Sequence, residues 1–272
     1  MFTIFSRETH VSARQPPMPA ATPLKPRLRA LILGASSGIG AALARRLARQ
    51  GYSLALVGRR AALLQSLCDE INAAAGETRA LHYAHDVTEY AAVPGLLRRI
   101  VSELGGLDLV IYAAGVNHPP GPEAYDFDGD RRMIETNLTG AMAWLNPVAA
   151  MFRSAGRGQI VGISSVAGDR GRVGNPGYNS SKAGLSAYLE ALRNRLTRHG
   201  VNVITVKPGF VRTDMLKAAQ KVMFPITPEK AADDIWRAIR LRRQEIYTPW
   251  FWRWIMLVIR NIPSAVFRRM SF

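Results

Sequence analysis

The 272-residue chain has one cysteine, Cys68. An internal disulfide is therefore excluded, and a reducing, cytoplasmic setting fits. Cys68 lies in the apolar pattern LLQSLC, which reads as packing and not as a reactive thiol. Carboxylates are scarce: 20 Asp and Glu face 36 Lys and Arg, for a formal net charge of +16. No uncharged apolar run reaches the roughly 18 residues of a membrane span. Residues 1–27 lack the apolar h-region of a secretory signal and are rich in proline and small residues, so a flexible leader is expected there. Met1 and Met18 are both candidate starts. No His/Cys/carboxylate set has metal-ligand spacing, so no metal is expected; His82 and His85 fall in a strand-like segment and read as packing or solvent-facing residues. Zinc-finger spacing, an RNP-like motif and a continuous basic helix are also missing. The arginine excess therefore reads as solvated surface, and nucleic acid is not an expected partner.

Short apolar runs alternate with longer helical patterns. Strands are expected at 28–33, 53–58, 79–84, 107–112, 159–163, 201–206 and 244–248. Helices are expected at 39–50, 60–75, 88–104, 130–155, 178–199 and 228–241. This alternation predicts an α/β protein, with a doubly wound parallel sheet of about seven strands covered by helices on both faces. One domain is expected over 28–248, followed by an aromatic and basic extension, with a short helical element, over 249–272. Ligands of such sheets bind beyond the carboxyl ends of the strands. The glycine turn at 34–40, Asp86, Ala114, Ser165 and Pro208 each follow an expected strand, so one crevice collects them.

Gly34-Ala35-Ser36-Ser37-Gly38-Ile39-Gly40 joins the first strand to the first helix. Glycine permits a tight turn and a close approach of pyrophosphate to the helix N-terminus. An ordinary strand-to-helix turn is the plain alternative, and three glycines in seven residues argue against it. The second strand ends in Val57-Gly58-Arg59-Arg60. Sites that prefer NAD(H) usually place a carboxylate there. Two guanidinium groups suit a 2′-phosphate instead, so NADP(H) is the expected cofactor.

Tyr178 and Lys182 are four residues apart, on one face of an expected helix. A free phenol has a pKa near ~10, and a neighbouring ammonium is expected to lower it. Such a tyrosine can exchange a proton near neutral pH. Ser165 precedes it by thirteen residues and can donate a hydrogen bond to a substrate oxygen as charge builds there. Ser164 competes for that role, but adjacent strand residues face opposite ways.

The glycine turn, ISS at 163–165, the Tyr178/Lys182 pair and PGFVRT at 208–213, in this order, resemble the short-chain dehydrogenase/reductase family from about Leu28 to about Tyr247. The resemblance implies a Rossmann-type fold and a catalytic set of Asn137, Ser165, Tyr178 and Lys182. Asn137, in ETNLTG, is implied to bend its helix and hold a water leading toward the lysine. The implied reaction moves hydride between nicotinamide and a carbonyl carbon, with Ser165 polarising the oxygen and Tyr178 protonating it. Lys182 lowers the tyrosine pKa and, with Tyr178, contacts the nicotinamide ribose. Cofactor contacts are also implied for Asp86 and Val87 at the adenine, for the backbone of Ala113, Ala114 and Gly115, and for Pro208, Gly209, Val211 and Thr213 near the carboxamide and phosphate. A homodimer or homotetramer through helices 130–155 and 178–199 is implied as well. Two positions depart from the family pattern. Leu33 stands where threonine is usual, and Tyr112-Ala113-Ala114-Gly115 replaces Asn-Asn-Ala-Gly, so backbone and not side-chain contacts are expected at that spot.

Segments 116–130 and 214–226 read as walls of a substrate site, the latter apolar enough for a hydrophobic carbonyl or alcohol. Two alternatives stand beside this reading. One is a reductase of carrier-linked 3-oxoacyl groups; the other is a non-catalytic protein that senses NADP(H). The tail carries Trp250, Phe251, Trp252, Trp254 and an aliphatic run bracketed by arginines. It packs on its own domain or a second subunit, or it rests on a membrane surface.

Overall fold

A computed structural model describes residues 28–120, 124–218 and 222–270. The expected leader lies outside the described residues. Among the described residues seven strands form: β1 (Arg29–Leu33), β2 (Ser53–Gly58), β3 (Ala80–Ala84), β4 (Leu109–Tyr112), β5 (Gly158–Ile163), β6 (Val201–Pro208) and β7 (Glu245–Thr248). They make one sheet in the order β3-β2-β1-β4-β5-β6-β7, and every pairing is parallel. The strands are apolar on both faces because both faces are covered. In β1, Ala30 and Ile32 enter one core while Leu31 and Leu33 enter the other.

The helices supply the two covering layers. They are α1 (Gly38–Ala48), α2 (Ala61–Ala75), α3 (Val93–Leu104), α4 (Phe127–Ile134), α5 (Gly140–Ala155), α6 (Pro176–Leu196) and α7 (Pro228–Arg240). Buried side chains of α1, α2 and α7 fill the first core, and those of α3, α5 and α6 fill the second. Cys68 belongs to the first, where burial pushes its thiol up to about 11, an inert state. The helix expected over 130–155 differs. It starts earlier, where the Asp126 carboxylate caps it by accepting from the Gly129 N–H. It is also interrupted by a π-turn, Glu135–Thr139, before continuing as α5. Sequence order reverses about β1, whose neighbours are β2 and β4, and this switch point opens the crevice at the strands' carboxyl ends.

The tail forms α8 (Trp252–Asn261) and α9 (Ser264–Phe267). Trp252 and Met256 are buried with Val166, and Phe210, Tyr247, Phe251, Ile255 and Ile259 pack around them. Arg170 fastens the end of α8: its guanidinium donates to the carbonyls of Ile259 (2.7 Å), Arg260 (3.1 Å) and Ile262 (2.6 Å) and lies 3.9 Å from the Phe267 ring centre. One face of the tail thus packs on its own domain, and the other does not. Among the described residues, no helix is long and apolar enough to cross a membrane.

Candidate active site

The glycine turn is built so that backbone can approach backbone. Gly34 has φ of 86°, and a Cβ there would fall 2.4 Å from the Ala114 nitrogen. A Cβ on Gly40 would fall 2.2 Å from the Gly34 oxygen. Gly38 has φ of 54° and faces the Thr213 methyl, which would lie 3.0 Å from an added Cβ. Ser37 begins α1 without a side-chain cap, and the first turn holds no acidic residue, so its N–H groups and dipole are available to an anion. Arg60 reaches back over the turn and donates to the Ser36 hydroxyl (2.9 Å) and the Ser37 hydroxyl (2.5 Å). Arg59 is largely exposed and sits 3.5 Å from the Asp86 carboxylate. Asp86 also accepts from the Thr88 N–H (3.0 Å) and hydroxyl (2.9 Å). Burial works against its charge, but Thr88 and then Arg59 outweigh it and leave the carboxyl below its ordinary pKa. Val87 packs its side chain into the second core. These features fit a dinucleotide phosphate: an open helix N-terminus, glycines where side chains would obstruct, and two guanidinium groups beside them.

Ala113 and Ala114 continue β4 beside Gly34, and the Ala113 N–H donates to the Leu33 carbonyl at 2.8 Å. A Cβ on Gly115 would lie 3.2 Å from Asn137 Oδ1 and 3.4 Å from Lys182 Nζ, so Gly115, Asn137 and Lys182 meet at one point. At the two departures from the family pattern, Leu33 packs in the core, and the buried Tyr112 phenol donates to the Thr136 carbonyl at 2.5 Å. That bond lands in the π-turn, next to Asn137. A π-turn leaves carbonyls without their usual helical partners, and Tyr112 supplies one. Asn137 is fully buried. Its amide donates to the Val116 carbonyl (3.0 Å) and Ser181 hydroxyl (3.0 Å), and its Oδ1 accepts from the Val116 N–H (2.8 Å).

Tyr178 lies in the first turn of α6, which starts at Pro176 and is capped by Asn175 accepting from the Tyr178 N–H at 3.1 Å. Ser165 closes β5 from the other side and caps a short 3-10 turn, accepting from the Ala167 N–H at 3.0 Å. Ser164 is turned away: its hydroxyl donates to the Lys182 carbonyl at 2.9 Å and pairs with Ser186 at 2.7 Å. The structure therefore brings Ser165, Tyr178, Lys182 and Asn137 to the carboxyl edge of the sheet.

The electrostatics differ from the expectation. Burial raises the Tyr178 pKa above 10, and the Ser165 hydroxyl and the Arg172 guanidinium offset this only in part. Lys182 does not lower it. Its ammonium lies 5.8 Å from the Tyr178 ring centre and donates to the Ile163 carbonyl at 2.9 Å. Burial pulls the Lys182 pKa down to about 8, and among the described residues no carboxylate pairs with it. Below that value the folded protein holds a buried charge. An unfolded chain keeps the lysine proton to a pKa near ~10.4, so between these values it binds more protons and stability rises with pH. Denaturant unfolding of the wild type and Lys182→Met should show the variant's relative stability falling as pH rises through that window. A pH-independent difference would contradict a depressed lysine.

Pro208 ends β6, and the Gly209 N–H donates to the Thr248 carbonyl at 2.9 Å. Val211 bridges to Ile226. Thr213 lies against Gly38. Between the glycine turn and this segment lies an open cavity of about 580 Å³, lined by Gly38, Arg212, Thr213, Asp214, Leu216, Val222 and Pro228. Met215, next in sequence to the cavity-lining Leu216, places its Sδ 3.9 Å from the Tyr178 hydroxyl.

Several neighbours had no readable signal in the sequence. Trp252 packs on Gly209, where a Cβ would fall 2.1 Å from the indole nitrogen. Behind the Ser165 turn, buried Asp169 accepts from Lys207 (2.8 Å) and from the Tyr247 hydroxyl (2.8 Å), and Lys207 also pairs with Glu245 at 2.8 Å. Asp169 follows the 3-10 turn, Lys207 lies in β6, and Glu245 and Tyr247 lie in β7, so the cluster spans three separate segments and no local pattern connects them.

The short chain dehydrogenase family model matches residues 29–223. An uncharacterized oxidoreductase of Myxococcus xanthus is 39% identical over 223 residues, covering 81% of this chain and 87% of the relative. The short-chain dehydrogenase of Sphingobium yanoikuyae, solved in complex with NADPH, superposes with a TM-score of 0.75 at 27% identity, over 88% of this chain and 97% of that one. A single-substitution variant of the actinorhodin polyketide ketoreductase, solved with NADPH, superposes with a TM-score of 0.74 at 25% identity, over 81% of this chain and 95% of that one. The chain belongs to the short-chain dehydrogenase/reductase family and is an NAD(P)-dependent oxidoreductase.

Proposed function

We propose that the protein is an NADP(H)-dependent oxidoreductase that interconverts a carbonyl and an alcohol on a hydrophobic small molecule. The observation that carries this reading is the convergence of Ser165, Tyr178, Lys182 and Asn137 beside a glycine turn overlaid by Arg60. Gly34, Gly38 and Gly40 with the α1 N-terminus hold the pyrophosphate, and Arg59 and Arg60 hold the 2′-phosphate. Asp86 and the Val87 backbone border the adenine. Ala113 to Gly115 and Pro208 to Thr213 border the nicotinamide half. When bound, the nicotinamide supplies or accepts a hydride at the substrate carbon. Ser165 donates to the substrate oxygen, Tyr178 gives or takes its proton, and Lys182 holds the ribose. Asn137 positions the 115–116 backbone at the lysine, on the proton path toward solvent. The substrate enters past Met215. The catalytic domain spans 28–248 with 249–272 as an extension, and α5 and α6 pair copies of the chain into a homodimer or homotetramer. A buried, unreactive Cys68 suits a cytoplasmic setting.

NADPH consumption against a panel of ketones, aldehydes and quinones tests the activity. Turnover with none of them, under conditions where NADPH binds, would leave a nucleotide-binding protein and no reductase. Cofactor preference has its own test. Charge-assisted hydrogen bonds are worth about 1.5–3 kcal/mol, or roughly ten- to hundred-fold in binding. Arg59→Ala/Arg60→Ala should raise KM for NADPH by that factor and leave KM for NADH nearly unchanged. A wild type that prefers NADH refutes the assignment.

A further inference from the structure

The tail buries only one face of its apolar surface. Trp252 and Met256 face Val166 in the core. Trp254, Leu257 and Val258, spaced three and four apart, share another face of α8 and are 58%, 51% and 67% exposed. Trp250, just before the helix, is 71% exposed. Phe251 connects this face to the cavity. Its ring centre lies 6.3 Å from that of Trp250 and 5.5 Å from that of Phe224. Phe224 is itself exposed, and Val222 beside it lines the cavity. An apolar strip therefore runs from the cavity rim to the outer face of α8. Single exposed apolar residues are ordinary, whereas a connected strip with two tryptophans marks a contact surface.

Charge selects the partner. Residues 249–272 contain Arg253, Arg260, Arg268 and Arg269 and no Asp or Glu. All four arginines are exposed. Arg253 and Arg260, seven residues apart, lie on one edge of the strip. A second copy seated here would set arginines against arginines across a desolvated contact, in a chain that already carries +16. An anionic bilayer satisfies both halves of the surface. Tryptophan rings sit at the headgroup level, Leu257 and Val258 reach the acyl boundary, and the arginines meet lipid phosphates. Arg170 already holds the end of α8 through three backbone carbonyls, so little ordering is left for the moment of binding.

We propose that the outer face of α8, with Trp250, is a docking surface for an anionic lipid bilayer that holds the cavity rim against the headgroups. It does not depend on the reaction proposed above, since a chain that reduces no carbonyl compound would still present this surface.

Flotation of the full-length protein with phosphatidylcholine vesicles, with and without phosphatidylglycerol, tests it. The protein should float with the anionic vesicles and not with the neutral ones. Raising the salt to about 0.5 M should release it, because screening shortens the reach of the arginines. Trp254→Ser/Val258→Ser should weaken vesicle binding at least about ten-fold while thermal unfolding and NADPH binding stay as in the wild type. If that variant does not fold, Arg253→Glu/Arg260→Glu, which changes only exposed charges, should no longer float with the anionic vesicles. Absence from the anionic lipid fraction overturns the proposal, and so does equal, salt-insensitive flotation on neutral vesicles. Concentration-dependent self-association that the same substitutions abolish, without lipid binding, would give the surface to a second copy instead.

Discussion

Tyr178→Phe is expected to lower reductase kcat by roughly 10²–10⁴-fold, the usual contribution of a positioned general acid. The fold should survive. The substitution removes one hydroxyl whose contacts are Met215 Sδ, at a long 3.9 Å, and Ser165. The Ser165 hydroxyl keeps its backbone donor at Ala167. The cradle around the glycine turn lies apart from the phenol, so NADPH binding should stay within a few-fold. Steady-state NADPH oxidation, nucleotide titration by fluorescence and a thermal melt separate these effects. An active Phe variant would remove the tyrosine from the chemistry. Loss of NADPH binding in parallel would show instead that the substitution acts through the cofactor site.

Gly40→Ala is the second large effect, and its sign needs deciding. Alanine favours a helix over glycine by about 1 kcal/mol. Here the added carbon would meet the Gly34 oxygen at 2.2 Å, the Gly34 carbonyl carbon at 2.9 Å and the Ala35 Cα at 3.1 Å. All three are backbone atoms. The turn is also pinned, since the Gly34 and Ala35 N–H groups both donate to the Val57 carbonyl, at 2.8 and 3.0 Å. Overpacking of this kind costs about 1–3 kcal/mol and outweighs the propensity gain. The variant should melt earlier and bind NADPH at least about ten-fold more weakly, because a displaced turn misaligns the N–H groups at the start of α1. A variant that is more stable and binds NADPH normally would mean the turn is not the phosphate cradle.

The fold was legible because its signals are local. Each strand of a doubly covered parallel sheet is an apolar run, and each covering helix repeats its apolar positions every three or four residues. All seven strands appear close to their expected bounds. The helix over 130–155 was legible only in part: the family resemblance implied a bend at Asn137, which lies in the π-turn, but a π-turn leaves no compositional mark of its own. Its setting depends on the Tyr112 phenol arriving from β4 and on Gly140, where a Cβ would lie 2.7 Å from that phenol oxygen.

The candidate site divides the same way. Tyr178 and Lys182 are neighbours by helical spacing, and three glycines in one turn announce close backbone approach. Those relations are written within a few residues of sequence, and they determine the fold class and the crevice. The charge state of the site is not local. Lys182 was expected to lower the phenol's pKa, but its ammonium turns to the Ile163 carbonyl and burial acts on both groups. The same holds for Arg60 over Ser36 and Ser37, for Arg170 on the end of α8, and for the division of the tail into a packed face and an exposed one. Desolvation and long-range hydrogen bonds depend on what the rest of the chain places around a group, and only the tertiary structure decides that.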